Sequence, residues 1–404
     1  MADHQILIVG GGAAGIATAA SLHKRDASLN IAIIEPSSTH YYQPGWTLVG
    51  AGVFKKEETV RPTASVMPSF VTHIKGTVAS FQPDENSVTL KDGDMLSYEY
   101  LVVAAGLKLD WAAIEGLETA LGKNGVTSNY RYDLAPYTWD LVQKMRGKEA
   151  IFTQPPMPIK CAGAPQKAMY LSCSTWTQAG KIKDINVSFC NAGPVLFGCA
   201  DYVPPLMEYV NSYGINLDFG HNLVKVDGPN QTATFKVTKE GEEPQLIERK
   251  FDMLHVCPPQ CAPDFIKESP LANEGGWMAV DQATLQSTIA PNVFGVGDVT
   301  STPNAKTAAA ARKQAPIVAN NLIAQMKNAA MPQAYDGYGS CPLTVEHGKI
   351  ILAEFGYGGK LMPSFPWDST KPRRAAWFLK KSVLPWIYWN AMLKGKEWLA
   401  KTTS

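Results

Sequence analysis

The sequence is short of several things, and each shortage excludes a class of protein. Its seven cysteines are odd in number and scattered without tight spacing, so they do not form a disulfide framework. The pair Cys257 and Cys261 is too constrained by proline to suggest zinc, and no metal is expected. Formal net charge is only +1, which argues against a nucleic-acid binder. The longest apolar stretch, Val383–Leu393, is about half of what a membrane-spanning helix needs, and Pro385 interrupts it. The first apolar strand begins within five residues of the start, so neither a signal peptide nor a transit segment is expected. At 404 residues the chain is too long for one core, and two or three domains are expected.

What is present begins with a glycine-rich turn in the right surroundings. Gln5-Ile6-Leu7-Ile8-Val9 reads as a buried parallel strand and runs into Gly10-Gly11-Gly12-Ala13-Ala14-Gly15. A helical pattern follows, with Ile16, Ala19, Ala20 and Leu22 facing inward. In such a turn Gly10 permits the bend, Gly12 lets backbone approach a diphosphate, and Gly15 lets helix and sheet pack closely. The diphosphate rests on the free amides of the helix N-terminus. A second strand, Ile31-Ala32-Ile33-Ile34, ends at Glu35, twenty residues beyond Gly15, where a carboxylate can accept hydrogen bonds from ribose.

Two further segments point to FAD. Tyr100–Gly106 is an apolar strand ending in small residues at Gly106. Asn292–Asp298 is another strand, ending in an acid and followed by TSTPNAKTAAAARKQA. Together they resemble the flavoproteins with two dinucleotide-binding folds. That resemblance implies that Asp298 contacts the ribityl chain or diphosphate of FAD. It also implies that the next helix points its positive end at the flavin ring, where Lys306 would add charge.

A second α/β unit is expected over residues 111–256, between a first part of the flavin domain (1–110) and its return (257–330). Its strands are expected at Ala150–Thr153, Ile185–Cys190 and Gly214–Phe219. After the first of these, a nicotinamide-binding relative would carry a second G-x-G-x-x-G. Here the segment is Gln154-Pro155-Pro156-Met157-Pro158, and proline lacks the amide hydrogen that cradles phosphate. Nicotinamide is therefore not expected. The next motif is KCAGAPQK, with Cys161; a second isolated cysteine, Cys341, lies in DGYGSCPL. Residues 331–404 form a C-terminal extension. From Lys371 to Ser404 it holds eight Lys/Arg against one acid, Glu397, and four of the ten tryptophans. Basic residues interleaved with Trp377, Trp386, Trp389 and Trp398 suit a surface that lies in lipid headgroups, with Pro385 dividing two short helices.

The blocks HYYQPGWTLVGAG, KCAGAPQKAMYLS, GDVTSTPNAKTAAA, YDGYGSCPL, ILAEFGY and LPWIYWNAMLKG resemble, in order, sulfide:quinone oxidoreductases of the branch that includes the mitochondrial enzyme. The resemblance implies an α/β protein of two Rossmann-like domains with an amphipathic, membrane-associating extension. It implies oxidation of hydrogen sulfide by Cys161 and Cys341 with FAD. Sulfane sulfur then passes to a small acceptor (sulfite, glutathione or sulfide), and two electrons pass to ubiquinone or menaquinone. Cys341 is the expected point of sulfide attack and Cys161 the flavin-side sulfur. Gln43 is expected near the flavin, and Val78 against adenine through its backbone. Phe355, Tyr357, Trp386 and Tyr388 are the expected quinone contacts. Cys173 stands where relatives often have glutamate. A monotopic protein of a bacterial inner membrane, and a homo-oligomer, fit this reading. The alternatives are the flavin subunit of a flavocytochrome c sulfide dehydrogenase, an NADH-oxidising quinone reductase, and a non-enzymatic sulfur carrier or redox sensor.

Overall fold

The computed structural model describes residues 2–145 and 148–400. Strand β1 (His4–Val9) is buried from Ile6 onward. It is followed by helix α1 (Ala13–Arg25) and strand β2 (Ile31–Ile34). Strand β3 (Met95–Val103) flanks β1 on its other side, so Ile8 lies between Ile33 and Val102 in a parallel register. Ile6 and Ile8 face one core and Leu7 and Val9 the other. Burial on both faces explains why these strands read as unbroken apolar runs. Thr72–Ile74 extends the sheet beyond β2, and Ser87–Leu90 with Val78–Gln82 extends it antiparallel beyond β3.

The second unit is a five-stranded parallel sheet. It comprises Val126–Thr127, β4 (Glu149–Gln154), β5 (Asn186–Asn191), β6 (Asn216–Phe219) and β7 (Met253–His255), ordered Val126–Thr127, β7, β4, β5, β6. Helix α2 (Ala164–Gln178) crosses from β4 to β5, and α3 (Val203–Tyr213) from β5 to β6. A turn that opens directly into a helix is absent after β4. The chain instead spends residues 155–163, which include three prolines and Cys161, before α2 begins.

The chain then returns to the first sheet. Strand β8 (Val293–Gly295) pairs in parallel with β3, placing Phe294 beside Val102. Helix α4 (Ala308–Met326) packs on α1 through Ala315, Val318 and Leu322 against Ile16, Ala19 and Leu22. A hairpin of β9 (Gly339–Glu346) and β10 (Lys349–Phe355) sets Cys341 opposite Ala353.

In the extension, Pro385 does not separate two helices as the sequence suggested. Helix α5 (Arg374–Phe378) passes through a π turn, Leu379–Val383, into α6 (Leu384–Asn390) without a break. Proline lacks an N–H and crowds the carbonyl four residues back. The wider π turn in front of it relieves that crowding, and such turns often occur at functional sites. Here the turn carries Lys380 into the interior. The extension is fastened to α1 by Glu397, which accepts hydrogen bonds from Ser21 (2.6 Å), Lys24 (3.1 Å) and Arg25 (2.5 Å). Ile387, Tyr388 and Trp389 are buried against the first domain, whereas Phe378, Trp386, Trp398 and Leu399 are exposed. Exposed Arg374, Lys381, Lys394 and Lys396 flank them. Among the described residues no helix is long and apolar enough to cross a membrane.

The glycine turn yields a direct test. A Cβ on Gly15 would lie 1.9 Å from the Gly10 carbonyl oxygen, whereas one on Gly12 meets nothing within 4 Å. Gly15→Ala is expected to destabilise the protein by about 1–3 kcal/mol. Gly12→Ala is expected to stay within about 0.5 kcal/mol of the parent. Chemical denaturation of the two variants reads the difference.

Candidate active site

The first sheet, the second sheet, the hairpin and the extension meet around one cavity of about 490 Å³. Gly10, Gly12, Glu35, Gln43, Gly106, Asp298 and Lys306 line it, as do Cys161, Lys160, Lys167, Lys380 and Tyr388. Gly10 holds φ at +107°, and its Cβ would strike the Ala104 carbonyl. Glu35 is held at the turn, accepting from the amides of Gly11 (2.8 Å) and Ser37 (2.7 Å). Gly106, also at positive φ, leaves open space beside it. The side-chain amide of Asn129, the Thr47 hydroxyl and the Trp46 indole N–H are buried on the cavity wall with no partner in the protein. Buried polar groups are normally satisfied. An open glycine cradle and these waiting donors and acceptors fit a bound dinucleotide.

The two cysteines come from different elements. Cys161 sits in the connection after β4, at φ +48°, and its amide donates to the Lys306 carbonyl at 2.8 Å. That bond ties the connection to the first domain. Cys341 arrives on β9, and its Sγ lies 3.4 Å from that of Cys161. Gly163 makes the approach possible, because a Cβ there would lie 2.5 Å from Cys341 Sγ and 2.4 Å from Leu343 Cδ2. The ammonium of Lys167, on the first turn of α2, donates to Cys161 Sγ at 3.0 Å.

These contacts divide the cysteines electrostatically. A hydrogen bond from the Cys341 thiol, with the charges of Lys167 and Lys380, holds the Cys161 thiol well below its ordinary value despite burial. The same hydrogen bond, together with burial and the neighbouring thiolate, pushes Cys341 well above it. Of the two sulfurs, Cys161 is the one whose surroundings favour the thiolate. Burial drives Lys380 down to about 7, with Lys167 adding repulsion and the two sulfurs opposing it. The other five cysteines are pushed up by burial, Cys190 and Cys257 to about 12. Cys173, where relatives often carry glutamate, is fully buried in the α2 core.

The residues expected to meet flavin and quinone are placed differently from one another. Lys306 lines the cavity. It is buried, donates to the carbonyls of Asp298 (2.9 Å) and Thr300 (2.8 Å), and lies 4.1 Å over the Trp277 indole. Val78 is a core residue off the cavity wall. Of the four expected quinone contacts only Tyr388 lines the cavity. Side chains alternate along a strand, so Leu352 and Glu354 of β10 face the cavity while Phe355 packs with Ile351 and Ala353 on the other core. The Tyr357 hydroxyl donates to the Gln282 carbonyl, and Trp386 is exposed and stacked on Trp398.

Sequence reading missed Lys167, Lys380 and Glu354. Lys167 lay within the quoted KCAGAPQK block, but its distance from Cys161 depends on the loop before α2. Lys380 was counted as one charge in a basic run. Only the π turn turns it inward.

The chain matches the family model of pyridine nucleotide-disulphide oxidoreductases over residues 4–145. It is 41% identical over 392 residues to a mitochondrial sulfide:quinone oxidoreductase of Mus musculus, covering 97% of this chain and 87% of that protein. It is 43% identical to the mitochondrial enzyme of Dictyostelium discoideum, covering 99% of this chain and 88% of that one. The fold is similar to the sulfide:quinone oxidoreductase structure from Aquifex aeolicus, with a TM-score of 0.77 at 21% identity over 96% of this chain and 92% of that one. The family implies a flavin cofactor. The mitochondrial relatives give no support to a bacterial inner membrane.

A pH dependence follows from the Lys167 contact. Because its thiol is held low, Cys161 in the reduced protein is expected to react with iodoacetamide at a lower pH than an ordinary cysteine. Lys167→Met removes the hydrogen-bonded cation, so in the reduced variant the rate should rise only at a higher pH. An unmoved profile in mass-mapped alkylation contradicts the assignment. With its two cysteines, glycine cradle and sequence likeness along nearly its whole length, the chain belongs to the sulfide:quinone oxidoreductase family.

Proposed function

We propose that the protein oxidises hydrogen sulfide at a sulfur bridge between Cys161 and Cys341 and delivers two electrons to a membrane quinone, with FAD as its flavin. The 3.4 Å sulfur pair beside Lys167 carries this reading. A direct disulfide needs about 2.05 Å between sulfurs, and two bonds of roughly that length, bent at a central atom, span a little over 3 Å. The observed separation therefore suits one inserted sulfur, and a small closing movement makes the direct bond.

Sulfide is a nucleophile and needs an electrophilic sulfur. Attack of HS⁻ on the Cys341 sulfur forms a persulfide there and breaks the bridge, and Cys161 leaves as a thiolate. A leaving thiolate of low pKa departs faster, and Lys167 with Lys380 supplies that stabilisation. Cys341 is closed to solvent, and its neighbours Ser340 and Pro342 line the cavity, so the small anion would reach it from there. A nucleophilic acceptor of the sulfite or thiol class then takes the outer sulfur and frees Cys341. Reclosing the bridge releases two electrons, which quinone takes up with protons to become hydroquinone. The glycine turn at Gly12 and Glu35 would hold FAD, which would supply the two-electron relay between sulfur and quinone.

The cavity wall formed by Leu352, Phe365, Leu379, Leu384 and Ile387 is apolar and built largely by the extension. That suits a quinone better than a cytochrome partner. Exposed Phe378, Trp386, Trp398 and Leu399 among basic residues suit a protein resting on lipid. Nothing in the connection 155–163 provides a diphosphate cradle for NADH.

Cys161→Ser and Cys341→Ser are each expected to keep FAD and lose sulfide-dependent reduction of decylubiquinone, whereas Cys173→Ser keeps most turnover. Sulfide should bleach the flavin and NADH should not. Normal turnover in both serine variants sinks the bridge, and rapid bleaching by NADH sinks the choice of donor. Removing Lys371–Ser404 is expected to release the protein from liposomes, since each basic residue near an anionic surface contributes about 1 kcal/mol. Unchanged co-sedimentation with liposomes argues against this membrane surface.

A further inference from the structure

A quinone that receives two electrons must also receive two protons. Inside a closed apolar pocket bulk water is excluded, and a positioned side chain has to hand over at least one of them. The cavity has three carboxylates on its wall: Glu35, Asp298 and Glu354. Glu35 is occupied by the amides of the glycine turn. Asp298 lies on the dinucleotide side, between Lys160 and Lys306, where burial raises it and these two charges oppose that. Glu354 stands apart from both. It is buried on β10, one strand repeat from Leu352, which packs with Phe365 and Leu379 on the apolar wall.

Its surroundings are specific. Glu354 Oε1 accepts hydrogen bonds from the Tyr338 hydroxyl (2.5 Å) and the Ser364 hydroxyl (2.6 Å), and Oε2 accepts from the Ser364 amide (2.9 Å). A carboxylate offers about four acceptor sites, so one position on Oε2 remains for a proton. Tyr338 is pushed up by burial and by Glu354, and it keeps its own proton as a fixed donor. The ammonium of Lys313 lies 4.8 Å from the Tyr338 ring centroid. Lys313 is pulled down by burial, with Asp336 and Glu354 opposing and Arg312 assisting. Lys313, Arg312 and Asp336 are half-buried, so this cluster leads from the surface to the carboxylate. On the other side of β10, the Tyr202 hydroxyl meets the Glu354 backbone, donating to its carbonyl at 3.3 Å and accepting from its amide at 3.1 Å.

We infer that Glu354 is the acid that protonates quinone, with Tyr338 and Ser364 holding its conjugate base. The inference rests on the reading that quinone occupies this cavity. Quinone gains two electrons from the sulfide half of the reaction. The O–H bond of the Glu354 carboxylic acid breaks as an O–H bond forms on the quinone oxygen. The carboxylate left behind is stabilised by its three donors and regains a proton from solvent through the Lys313 side. The second proton comes from those released when the cysteine bridge recloses.

The test uses the flavin-loaded holoenzyme, reduced anaerobically with sulfide and then mixed with decylubiquinone in a stopped-flow instrument. In Glu354→Gln, reoxidation by quinone is expected to slow by roughly 100-fold, the contribution typical of general acid catalysis. Reduction by sulfide and quinone affinity should be kept, and Glu354→Asp should recover part of the rate. Tyr338→Phe removes one of the three donors that hold the carboxylate left after proton transfer, so its reoxidation by quinone should also slow. Independently of turnover, adding hydroquinone should produce an infrared carboxylic-acid band that Glu354→Gln lacks.

A parental rate and profile in Glu354→Gln overturns the inference. So does a loss of quinone affinity or melting temperature that accounts for the whole effect. If Glu354→Gln does not fold, a parental reoxidation rate in Tyr338→Phe overturns it equally. If the parent itself does not pass electrons to quinone, the proposed function fails instead.

Discussion

The site depends on one charge-assisted contact, the Lys167 ammonium on the Cys161 sulfur at 3.0 Å. With the hydrogen bond from the Cys341 thiol it holds the Cys161 thiol low, whereas burial pushes the other five cysteines up. In the proposed reaction that makes Cys161 the better leaving group of the pair. The contact also explains the local architecture. Cys161 takes a left-handed backbone conformation just ahead of α2, Gly163 removes the side chain that would block Cys341, and Lys167 sits one turn into the helix.

Different elements build the walls of the cavity. The glycine turn and Glu35 make the side that suits a dinucleotide. The hairpin and the extension make the apolar side. Lys380 belongs to both, since the π turn places it near the sulfurs while the helix around it closes the apolar wall. A residue pulled down to about 7 by burial changes charge near neutral pH. Loss of a proton from Lys380 would weaken the field on Cys161.

Much of this was legible in the sequence, for stated physical reasons. The first strand, its glycine turn and Glu35 follow local rules that no distant contact overrides. The strands of the second unit fell within a residue or two of their expected places, and the proline segment ruled out a tight turn before α2. The two cysteines were singled out because they stand alone in long family-like blocks, and the fold sets them within 3.4 Å. The quinone candidates face different ways, which sequence does not show. Phe355 and Glu354 are adjacent, and strand alternation sends one into each face. Trp386 and Tyr388 are two residues apart on a helix, and only Tyr388 turns inward, where its hydroxyl meets His40 Nε2 at 2.7 Å. Sequence type alone favoured the aromatics and could not show that Glu354 is buried on the cavity wall. Pro385 misled for a related reason, since the cost of proline in a helix was met by a local change of helix type.

The most direct measurement is mass spectrometry of the protein as purified, digested without reductant. The account predicts a linked pair of peptides carrying Cys161 and Cys341, joined directly or through one additional sulfur, in protein that turns over sulfide. The link should be replaced by a Cys341 persulfide after brief anaerobic sulfide treatment. Fully active enzyme in which Cys161 and Cys341 are both recovered as unlinked thiols, before and after sulfide, would contradict it.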